Sequence, residues 1–271
     1  MLVAVTGAQG VVGRAVITAL TRAGHSTRPI DRTATTDPDT ITADACDYPR
    51  LRDALDGTDA LIHLAGIPNP HAADPPTVHN TNVTAGYNAL HAAVECGITT
   101  VALASSINAI GGAFSRRAHY ERFPVDEQHP TYNEDPYSLS KWIAEAQADS
   151  IARRHPHMTI SSLRIHGVTE TRDTARTQLG PTDSDMAINH LWGYVRADAV
   201  GRAFEAALHA TWQGHETINV VAPDTISDQP SLELARRYWP HVELRGDLTG
   251  HRGFYDCGKA QRLLGWTHTG A

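Results

Sequence analysis

A tyrosine and a lysine four residues apart, Tyr137 and Lys141, form the first pair of residues that could do chemistry. On a helix this spacing places the phenol and the ammonium on the same face. A tyrosine is a poor base at its reference pKa of about 10, but a nearby cation favours the phenolate, so the pair is suited to general acid/base work near neutral pH. Lysine is scarce in this chain, because only two of the 23 basic residues are Lys and the others are Arg. A compact ammonium kept among arginines favours a chemical role over a chance pair on an exposed helix.

A pair of serines, Ser105 and Ser106, follows a short apolar stretch at 100–104 that is typical of a buried strand. The carboxyl end of a parallel strand is where α/β proteins build their sites. A serine hydroxyl there can hydrogen-bond a substrate oxygen beside a tyrosine base. The alternative for both residues is a serine that only begins a loop, and Ser106 is the better candidate for the chemical role.

Three glycines spaced three residues apart, Gly7, Gly10 and Gly13, separate an apolar stretch at Leu2–Thr6 from an amphipathic one at 12–22. The order strand, glycine turn, helix is the context that a dinucleotide-binding loop requires. Gly7 permits the tight turn, Gly10 lets a pyrophosphate approach the backbone, and Gly13 lets the helix lie close to the sheet. The helix N-terminus then faces the phosphates. The residues expected to contact the phosphates are Gly7, Gln9, Gly10, Val11 and Gly13.

An acidic residue, Asp31, ends the second predicted strand, about 20 residues beyond the glycines. A carboxylate there hydrogen-bonds the adenosine ribose and repels a 2′-phosphate, which favours NAD over NADP. Its neighbour Arg32 could instead accept that phosphate, so NADP stays open. Asp44 and Ala45 follow a further predicted strand end, where contact with the adenine and a purely structural role both agree with the sequence.

Short apolar segments alternate with amphipathic ones through the first 165 residues. This rhythm predicts parallel strands joined by helices that cover both faces of the sheet. Strands are predicted at 2–6, 27–30, 60–64, 100–104 and 159–164, and helices at 12–22, 49–55, 82–96 and 137–154.

After residue 165 the alternation weakens. Residues 169–186 are polar and are expected to form an irregular loop over a site. Helices at 197–210 and 231–238 and a strand at 217–221 follow. The predicted fold is therefore α/β: a Rossmann-type doubly wound parallel sheet at 1–165, and a small substrate-binding region at 166–271, part of which packs back on the sheet.

Composition excludes several classes of protein. The 271 residues carry a formal net charge of −7, so no basic surface for nucleic acid or anionic lipid is expected. The three cysteines are far apart, which argues against a disulfide framework or a Cys-x-x-Cys pair. No histidine pair has the spacing of a metal motif, so no metal site is expected. Without a membrane span or signal peptide in the sequence, we expect a cytoplasmic protein.

Taken together, these residues resemble the extended short-chain dehydrogenases/reductases, and more narrowly the NAD-dependent epimerase/dehydratase family. The resemblance extends over most of the chain. Further matching positions are Asn82 and the segments 63–66 (HLAG), 194–198 (YVRAD) and 259–266 (KAQRLLGW). The chain is also similar to uronate dehydrogenases in its short length and in the pattern Ser-Ser-x-x-x-Ile-Gly at 105–111.

The resemblance implies roles for individual residues. Tyr137 would be the general acid/base, Lys141 would lower its pKa and hold the nicotinamide ribose, and Ser106 would position the reacting oxygen. Hydride would pass to the nicotinamide of NAD, or of NADP, while a substrate hydroxyl loses its proton. Further cofactor contacts would come from Leu64, Ala65, Gly66 and Asn82.

Departures from the family pattern narrow the range of reactions and substrates that we expect. The family's dehydratases carry an Asp-Glu pair directly after the catalytic hydroxyl residue, where this chain has Ile107 and Asn108, so elimination of water is not expected. Uronate dehydrogenases place Asn-His at the same point, which argues against carrying over their specificity. Arg172 could clamp an anionic substrate group, or it could be a solvated loop arginine. Substrate contacts are expected from Ser106, Ile107, Asn108 and Arg172.

The resulting expectation is an NAD-dependent oxidoreductase that removes hydride from a secondary alcohol or hemiacetal of a sugar-like substrate, with Tyr137 as general base. Epimerisation with a retained cofactor is one alternative, and a non-catalytic dinucleotide sensor is another. Family members often pair through helices that correspond to 82–96 and 137–153. A homodimer is therefore expected, although core packing would explain the same apolar residues.

Overall fold

A computed structural model describes residues 1–269 of the chain. The last two residues of the region predicted at 166–271 lie outside the described part. The strands are β1 (Leu2–Thr6), β2 (Ser26–Asp31), β3 (Ile41–Thr42), β4 (Ala60–His63), β5 (Thr100–Ser106), β6 (Arg122–Phe123), β7 (Thr159–Ile165), β8 (Val168–Thr169), β9 (Val195–Arg196), β10 (Gly214–Val220) and β11 (Glu243–Leu244). The α-helices are α1 (Val11–Arg22), α2 (Tyr48–Leu55), α3 (Pro75–Glu95), α4 (Pro136–Arg154), α5 (Arg172–Leu179), α6 (Asp185–Asn189), α7 (Ala197–Ala207), α8 (Ser231–Tyr238) and α9 (Gly258–Leu264).

A parallel sheet of seven strands forms the centre of the molecule, in the order β3-β2-β1-β4-β5-β7-β10. The strand order reverses between β1 and β4, which is the point where open α/β sheets leave a crevice at their carboxyl edge. At that edge Thr6 is paired with Ile30 on one side and with His63 on the other. The sheet confirms the predicted Rossmann-type doubly wound fold.

Two apolar cores cover the two faces of the sheet. On one face, α2, α3 and α4 pack through residues that include Leu51, Leu90 and Ile151. On the other, α1, α7 and α9 pack through residues that include Val16 and Phe204. These cores hold the strand ends in fixed relative positions, so side chains placed at the carboxyl edge are held as a set.

A third core lies beside the sheet and joins the segment 107–125 to the C-terminal part of the chain. Its largest members are Phe123, Trp192 and Phe254, which are fully buried. Strand β10 comes from this C-terminal part and pairs with β7 at the sheet edge. The C-terminal residues therefore complete the sheet as well as forming their own core.

The helices differ most from the predictions at two places. Helix α3 begins at Pro75, seven residues before the predicted start, because Asp74 caps it by accepting from Thr77 N at 3.1 Å. The segment 169–186, predicted to be irregular, contains α5 and the start of α6. Each of these short helices is capped by a hydroxyl, from Thr171 and Ser184 respectively, and each buries only a single alanine, so no apolar stripe in the sequence could reveal them.

Within residues 1–269, no helix is both long enough and apolar enough to cross a membrane.

The contact between the first turn and α1 requires a glycine at position 13. A methyl group added there would overlap the carbonyl oxygen of Gly7 and lie 2.6 Å from that of Ala8. We predict that Gly13→Ala destabilises the protein by about 1–3 kcal/mol, because backbone atoms must move to admit the methyl group. Urea unfolding measures the loss. Gly167→Ala is the control, since a methyl group there meets no atom within 4 Å, and equal stability of the Gly13→Ala and wild-type proteins would contradict the account.

Several histidines that are shielded from solvent make the fold sensitive to mild acid. Burial is the largest cause that lowers the pKa of His63 and His166 to about 3 and the pKa of His190 and His268 to about 4. Below pH 6.5 the unfolded chain therefore binds more protons than the folded chain, and the free energy of unfolding falls as the pH falls. Each histidine contributes up to about 1.4 kcal/mol per pH unit.

We predict a clearly lower free energy of unfolding near pH 5 than near pH 7, a window in which ordinary carboxyl groups stay ionised in both states. Urea unfolding at the two pH values measures the difference. Replacing the exposed His157 by Gln should leave the pH dependence unchanged. Equal free energies of unfolding at the two pH values would contradict the assignment of neutral buried imidazoles.

Candidate active site

A cavity of about 470 Å³ opens at the carboxyl ends of β1, β2, β4, β5 and β7. It extends from the end of β2 to the start of α4. The predicted site residues that line it are Gly7, Gly10, Val11, Gly13, Asp31, Arg32, Asp44, Ala45, Leu64, Ala65, Gly66, Ser106, Ile107, Asn108 and Tyr137. The sheet therefore brings most of the predicted residues to one place.

The glycine loop forms the floor of this cavity. Gly7 has a φ of +68°, and a methyl group on it would lie 2.8 Å from the backbone nitrogen of Ala65, so the loop can approach the end of β4 only with a glycine there. Helix α1 begins after Gly10 with no side-chain cap and no acidic residue in its first turn. Its first N–H groups are therefore free of side-chain acceptors and suited to an anion such as a pyrophosphate.

Asp31 stands at the end of β2, where its carboxylate accepts from the backbone of Gln9 and of Thr33, each at 2.9 Å. These bonds fix the carboxylate at the cavity wall, beside Arg32. Gln9 itself does not line the cavity in the described structure and contributes through its backbone. A dinucleotide therefore fits the observed set: an open helix N-terminus, a close-packed glycine turn and a carboxylate at the end of β2.

Asn82 lies behind the cavity wall instead of lining it. Its side chain accepts from Ile67 N at 2.7 Å and donates to Ile67 O at 3.1 Å and to Ser140 Oγ at 3.0 Å. The predicted contact with the cofactor is thus replaced by a positioning role: Asn82 ties the backbone after Gly66 to α4.

Ser106, Tyr137 and Lys141 meet where β5 ends and α4 begins. Lys141 Nζ donates to the carbonyl oxygen of Ala104 at 2.7 Å and lies 5.8 Å from the centroid of the Tyr137 ring. Asp135 caps α4 by accepting from Tyr137 N at 3.0 Å, which fixes the tyrosine in the first turn. Both Ser106 and Tyr137 are buried and line the cavity, whereas Lys141 lies behind Tyr137.

Burial shifts the two titrating groups in opposite directions. It raises the pKa of Tyr137 to about 12, against the lowering effect of a hydrogen bond with Ser106. It lowers the pKa of Lys141 to about 8, and the charge of Glu145 partly opposes this. The charge of Asp135 also raises the Tyr137 pKa, and the predicted lowering of this pKa by Lys141 stays a prediction.

A buried ion pair between α4 and β7 lies one helical turn beyond Lys141. Glu145, one turn further along α4, accepts from Arg164 Nε at 2.9 Å and from Arg164 Nη2 at 2.7 Å, and it also accepts from Ser105. The two serines thus have separate roles in the structure. Ser105 faces the buried ion pair, and Ser106 faces the cavity.

Several cavity residues had no clear signal in the sequence. Phe114, His166 and His190 line the end of the cavity near Tyr137. His166 directly follows β7, so its position after a strand was a usable signal. Phe114 and His190 come from connecting segments whose path depends on long-range packing.

Arg172 is not brought to the cavity. Its guanidinium donates to Thr225 O at 2.9 Å and to Ser227 O at 3.2 Å, and lies 3.2 Å from the carboxylate of Asp224. These partners belong to the C-terminal part of the chain. The side chain holds α5 against that part, which corrects the prediction that it contacts the substrate.

Three potential metal ligands lie together away from the cavity: His25, Glu205 and His209, whose ligand atoms are all within 4.8 Å of one another. Glu205 lies 2.9 Å from His209 Nε2 and 3.6 Å from His25 Nε2. A carboxylate between two imidazoles accounts for this arrangement without an ion. The predicted absence of a metal site stays a prediction.

The predicted dimer also stays a prediction. Tyr87 on α3 and Trp142 on α4 are 47% and 42% exposed. Large apolar side chains on the two helices predicted to form the dimer contact are thus exposed to solvent in the single chain.

Comparison with known proteins identifies relatives of this chain. L-arabinose 1-dehydrogenase (NAD(P)(+)) of Haloferax volcanii is 30% identical over 188 residues, which are 67% of this chain and 72% of the relative. NAD-dependent glucose-6-phosphate dehydrogenase of the same organism is 32% identical over 187 residues, 62% of this chain and 69% of the relative.

Among solved structures, a short-chain dehydrogenase/reductase superfamily protein from Agrobacterium tumefaciens with bound NAD is similar with a TM-score of 0.74 and 22% identity. The match covers 99% of this chain and 92% of that one, and it shows a shared fold. The family model described as NAD dependent epimerase/dehydratase family matches residues 3–173, well over half of the sequence. The chain belongs to the NAD dependent epimerase/dehydratase family.

Proposed function

We propose that this protein is an NAD-dependent dehydrogenase that oxidises a secondary alcohol or hemiacetal of a sugar-like substrate. The observation that carries the proposal is the position of Ser106 and Tyr137 in the same cavity as the glycine loop, with Lys141 held behind the tyrosine. Hydride acceptor, proton acceptor and substrate would then share one buried space. The two Haloferax volcanii relatives, named as dehydrogenases of a sugar and of a sugar phosphate respectively, favour net oxidation over epimerisation.

Residues of this chain would accept the proton of the substrate hydroxyl. Tyr137 takes the proton of the substrate hydroxyl, and the Ser106 hydroxyl holds that oxygen beside the phenol. The carbon that carries this hydroxyl group loses its hydrogen as hydride, which takes the electron pair of the C–H bond. The carbon–oxygen bond becomes a carbonyl at the same time. Bound NAD⁺ supplies the hydride acceptor and a positive charge that favours the phenolate. Because burial alone raises the Tyr137 pKa to about 12, Tyr137 becomes an effective base only with cations close to it.

The cofactor would be held by its phosphates and its adenosine. The open N-terminus of α1 suits the pyrophosphate, and the carboxylate of Asp31 suits the ribose hydroxyls. Arg32, which is exposed beside Asp31, does not remove the negative charge that a 2′-phosphate would meet. NAD is therefore the proposed cofactor.

Loss of the phenol tests the proposed base. We predict that Tyr137→Phe lowers kcat/KM for sugar oxidation by about 10²–10⁴-fold, because general base catalysis is lost, while NAD⁺ binding is kept. The absorbance of NADH measures turnover, and calorimetry measures NAD⁺ binding. Tyr132→Phe is the matched control, since Tyr132 is 42% exposed and its hydroxyl bonds Glu121.

Two outcomes of this experiment would decide against the proposal. Full activity of Tyr137→Phe, with NAD still bound, would favour a different base or a non-catalytic sensor. Turnover of a sugar without net NADH would favour an epimerase that returns the hydride.

The cofactor preference depends on the charge of Asp31. We predict that Asp31→Asn reduces the preference for NAD⁺ over NADP⁺ at least about tenfold, because the carboxylate that repels the 2′-phosphate is gone. The ratio of kcat/KM for the two cofactors measures the change. Asp37→Asn, an exposed acid in the following loop, is the control, and an unchanged ratio in Asp31→Asn would contradict the assignment.

A further inference from the structure

The part of the cavity near Tyr137 carries no side chain suited to a charged substrate. We define this substrate end by Ser106, Ile107, Asn108, Phe114, His166 and His190. Of the residues 1–269 that line the cavity, the only Lys or Arg is Arg32. It follows β2, three strand spacings from β5, or about 14 Å away. Lys141 is nearby, but its ammonium is bound to Ala104 O behind Tyr137.

The arginines of α5 and β7 are engaged elsewhere, whereas Arg116 and Arg117, in the loop that carries Phe114, are exposed to solvent. Arg172 is bound to backbone carbonyls beside Asp224, and Arg176 forms a two-pronged bond with Asp228 at 2.8 and 2.5 Å. Arg164 is buried against Glu145. A phosphate or carboxylate at the substrate end would therefore lose its water without meeting a free cation among the described residues that line the cavity, which is costly for an ion.

The two histidines at the substrate end do not supply that charge. His166 Nδ1 accepts from Gly167 N at 2.6 Å, and its Nε2 lies 3.0 Å from His190 O, which only accepts. This pattern requires the neutral imidazole with its proton on Nε2. Burial also lowers the pKa of His166 to about 3 and that of His190 to about 4, so both rings are uncharged at neutral pH.

His190 nevertheless has an unused polar atom. Its Nδ1 is buried and has no hydrogen-bond partner among the described residues, although the residue lines the cavity. Buried polar atoms are nearly always paired. A ligand hydroxyl is the kind of group that could pair this nitrogen without adding charge.

The backbone directly after His190 adopts a rare conformation. Leu191 and Trp192 have φ values of +51° and +52°, a conformation that bulky residues rarely adopt. Both side chains are fully buried, so packing imposes the turn. Strain of this kind is concentrated at functional sites.

Aromatic rings extend the same wall toward the tyrosine. Phe114 meets His190 edge-on at 6.1 Å and Tyr137 edge-on at 5.8 Å, measured between ring centroids. Such a wall suits the apolar C–H face of a sugar ring. The whole cavity measures about 470 Å³, which is in the usual range for small-molecule sites.

We infer that the substrate is an uncharged monosaccharide, without phosphate, carboxylate or nucleotide, and that His190 Nδ1 binds one of its hydroxyl groups. This inference rests on the proposed dehydrogenase activity and names its substrate class.

A substrate panel tests the class. The wild-type protein with NAD⁺ is given neutral aldoses (L-arabinose, D-xylose, D-galactose, D-glucose), the matching uronates, glucose 6-phosphate and UDP-glucose, and NADH formation is followed. We expect kcat/KM for the best neutral sugar to exceed that for every charged compound by at least about 100-fold, the difference between a satisfied site and a buried unpaired charge. A charged compound as the best substrate would overturn the inference and leave the dehydrogenase proposal standing. NADH formation with none of the compounds would overturn both.

Variants of His190 test the contact. His190→Ala is expected to raise KM for the neutral sugar about tenfold, the size of one lost hydrogen bond, with KM for NAD⁺ unchanged. His190→Asn, which keeps a hydrogen-bonding group, is expected to recover part of the loss. His157→Ala, an exposed histidine at the other end of α4, is the control. An unchanged sugar KM in His190→Ala, in protein that still binds NAD⁺, would overturn the role of His190.

Discussion

The hydrogen bond from Lys141 Nζ to Ala104 O joins α4 to the carboxyl end of β5, and the candidate active site depends on it. It holds Tyr137 beside Ser106 at the edge of the cavity. The same contact buries the ammonium, which lowers the Lys141 pKa to about 8 while burial raises the Tyr137 pKa to about 12. At neutral pH the Tyr137 phenol therefore keeps its proton in the protein alone, while most of the Lys141 ammonium keeps its charge. The positive nicotinamide ring of bound NAD⁺ would favour the phenolate, which would couple proton removal to cofactor binding.

Local sequence patterns predicted the parts of the structure that depend on neighbours in the chain. The glycine spacing indicated the turn between β1 and α1, because the close contact of Gly13 with Gly7 lies within seven residues. The spacing of Tyr137 and Lys141 placed both on one face of α4. The start of α3 was predicted late, although Asp74 followed by two prolines is a recognisable cap. Most of the sheet and of the cofactor side therefore follows from the amino-acid sequence alone.

The remaining parts depend on contacts between distant segments. Arg172 bonds to carbonyls more than 50 residues away, so sequence alone could not distinguish a substrate clamp from a structural tie. His190, which lines the cavity, directly precedes Leu191 and Trp192, whose rare backbone conformation accompanies long-range packing that sequence does not show. The family model ends at residue 173, so it includes the cofactor side but not His190. Of the six residues that define the substrate end, only His190 lies outside the range matched by the family model.

The central claim is that Tyr137 is the proton acceptor and lies against the positive end of a bound NAD⁺. A spectroscopic titration of tyrosinate, with and without NAD⁺, tests this most directly. The account predicts that one tyrosine ionises at distinctly lower pH when NAD⁺ is bound, and that this shift is missing in Tyr137→Phe. Identical titrations of the wild-type protein with and without bound NAD⁺ would contradict it.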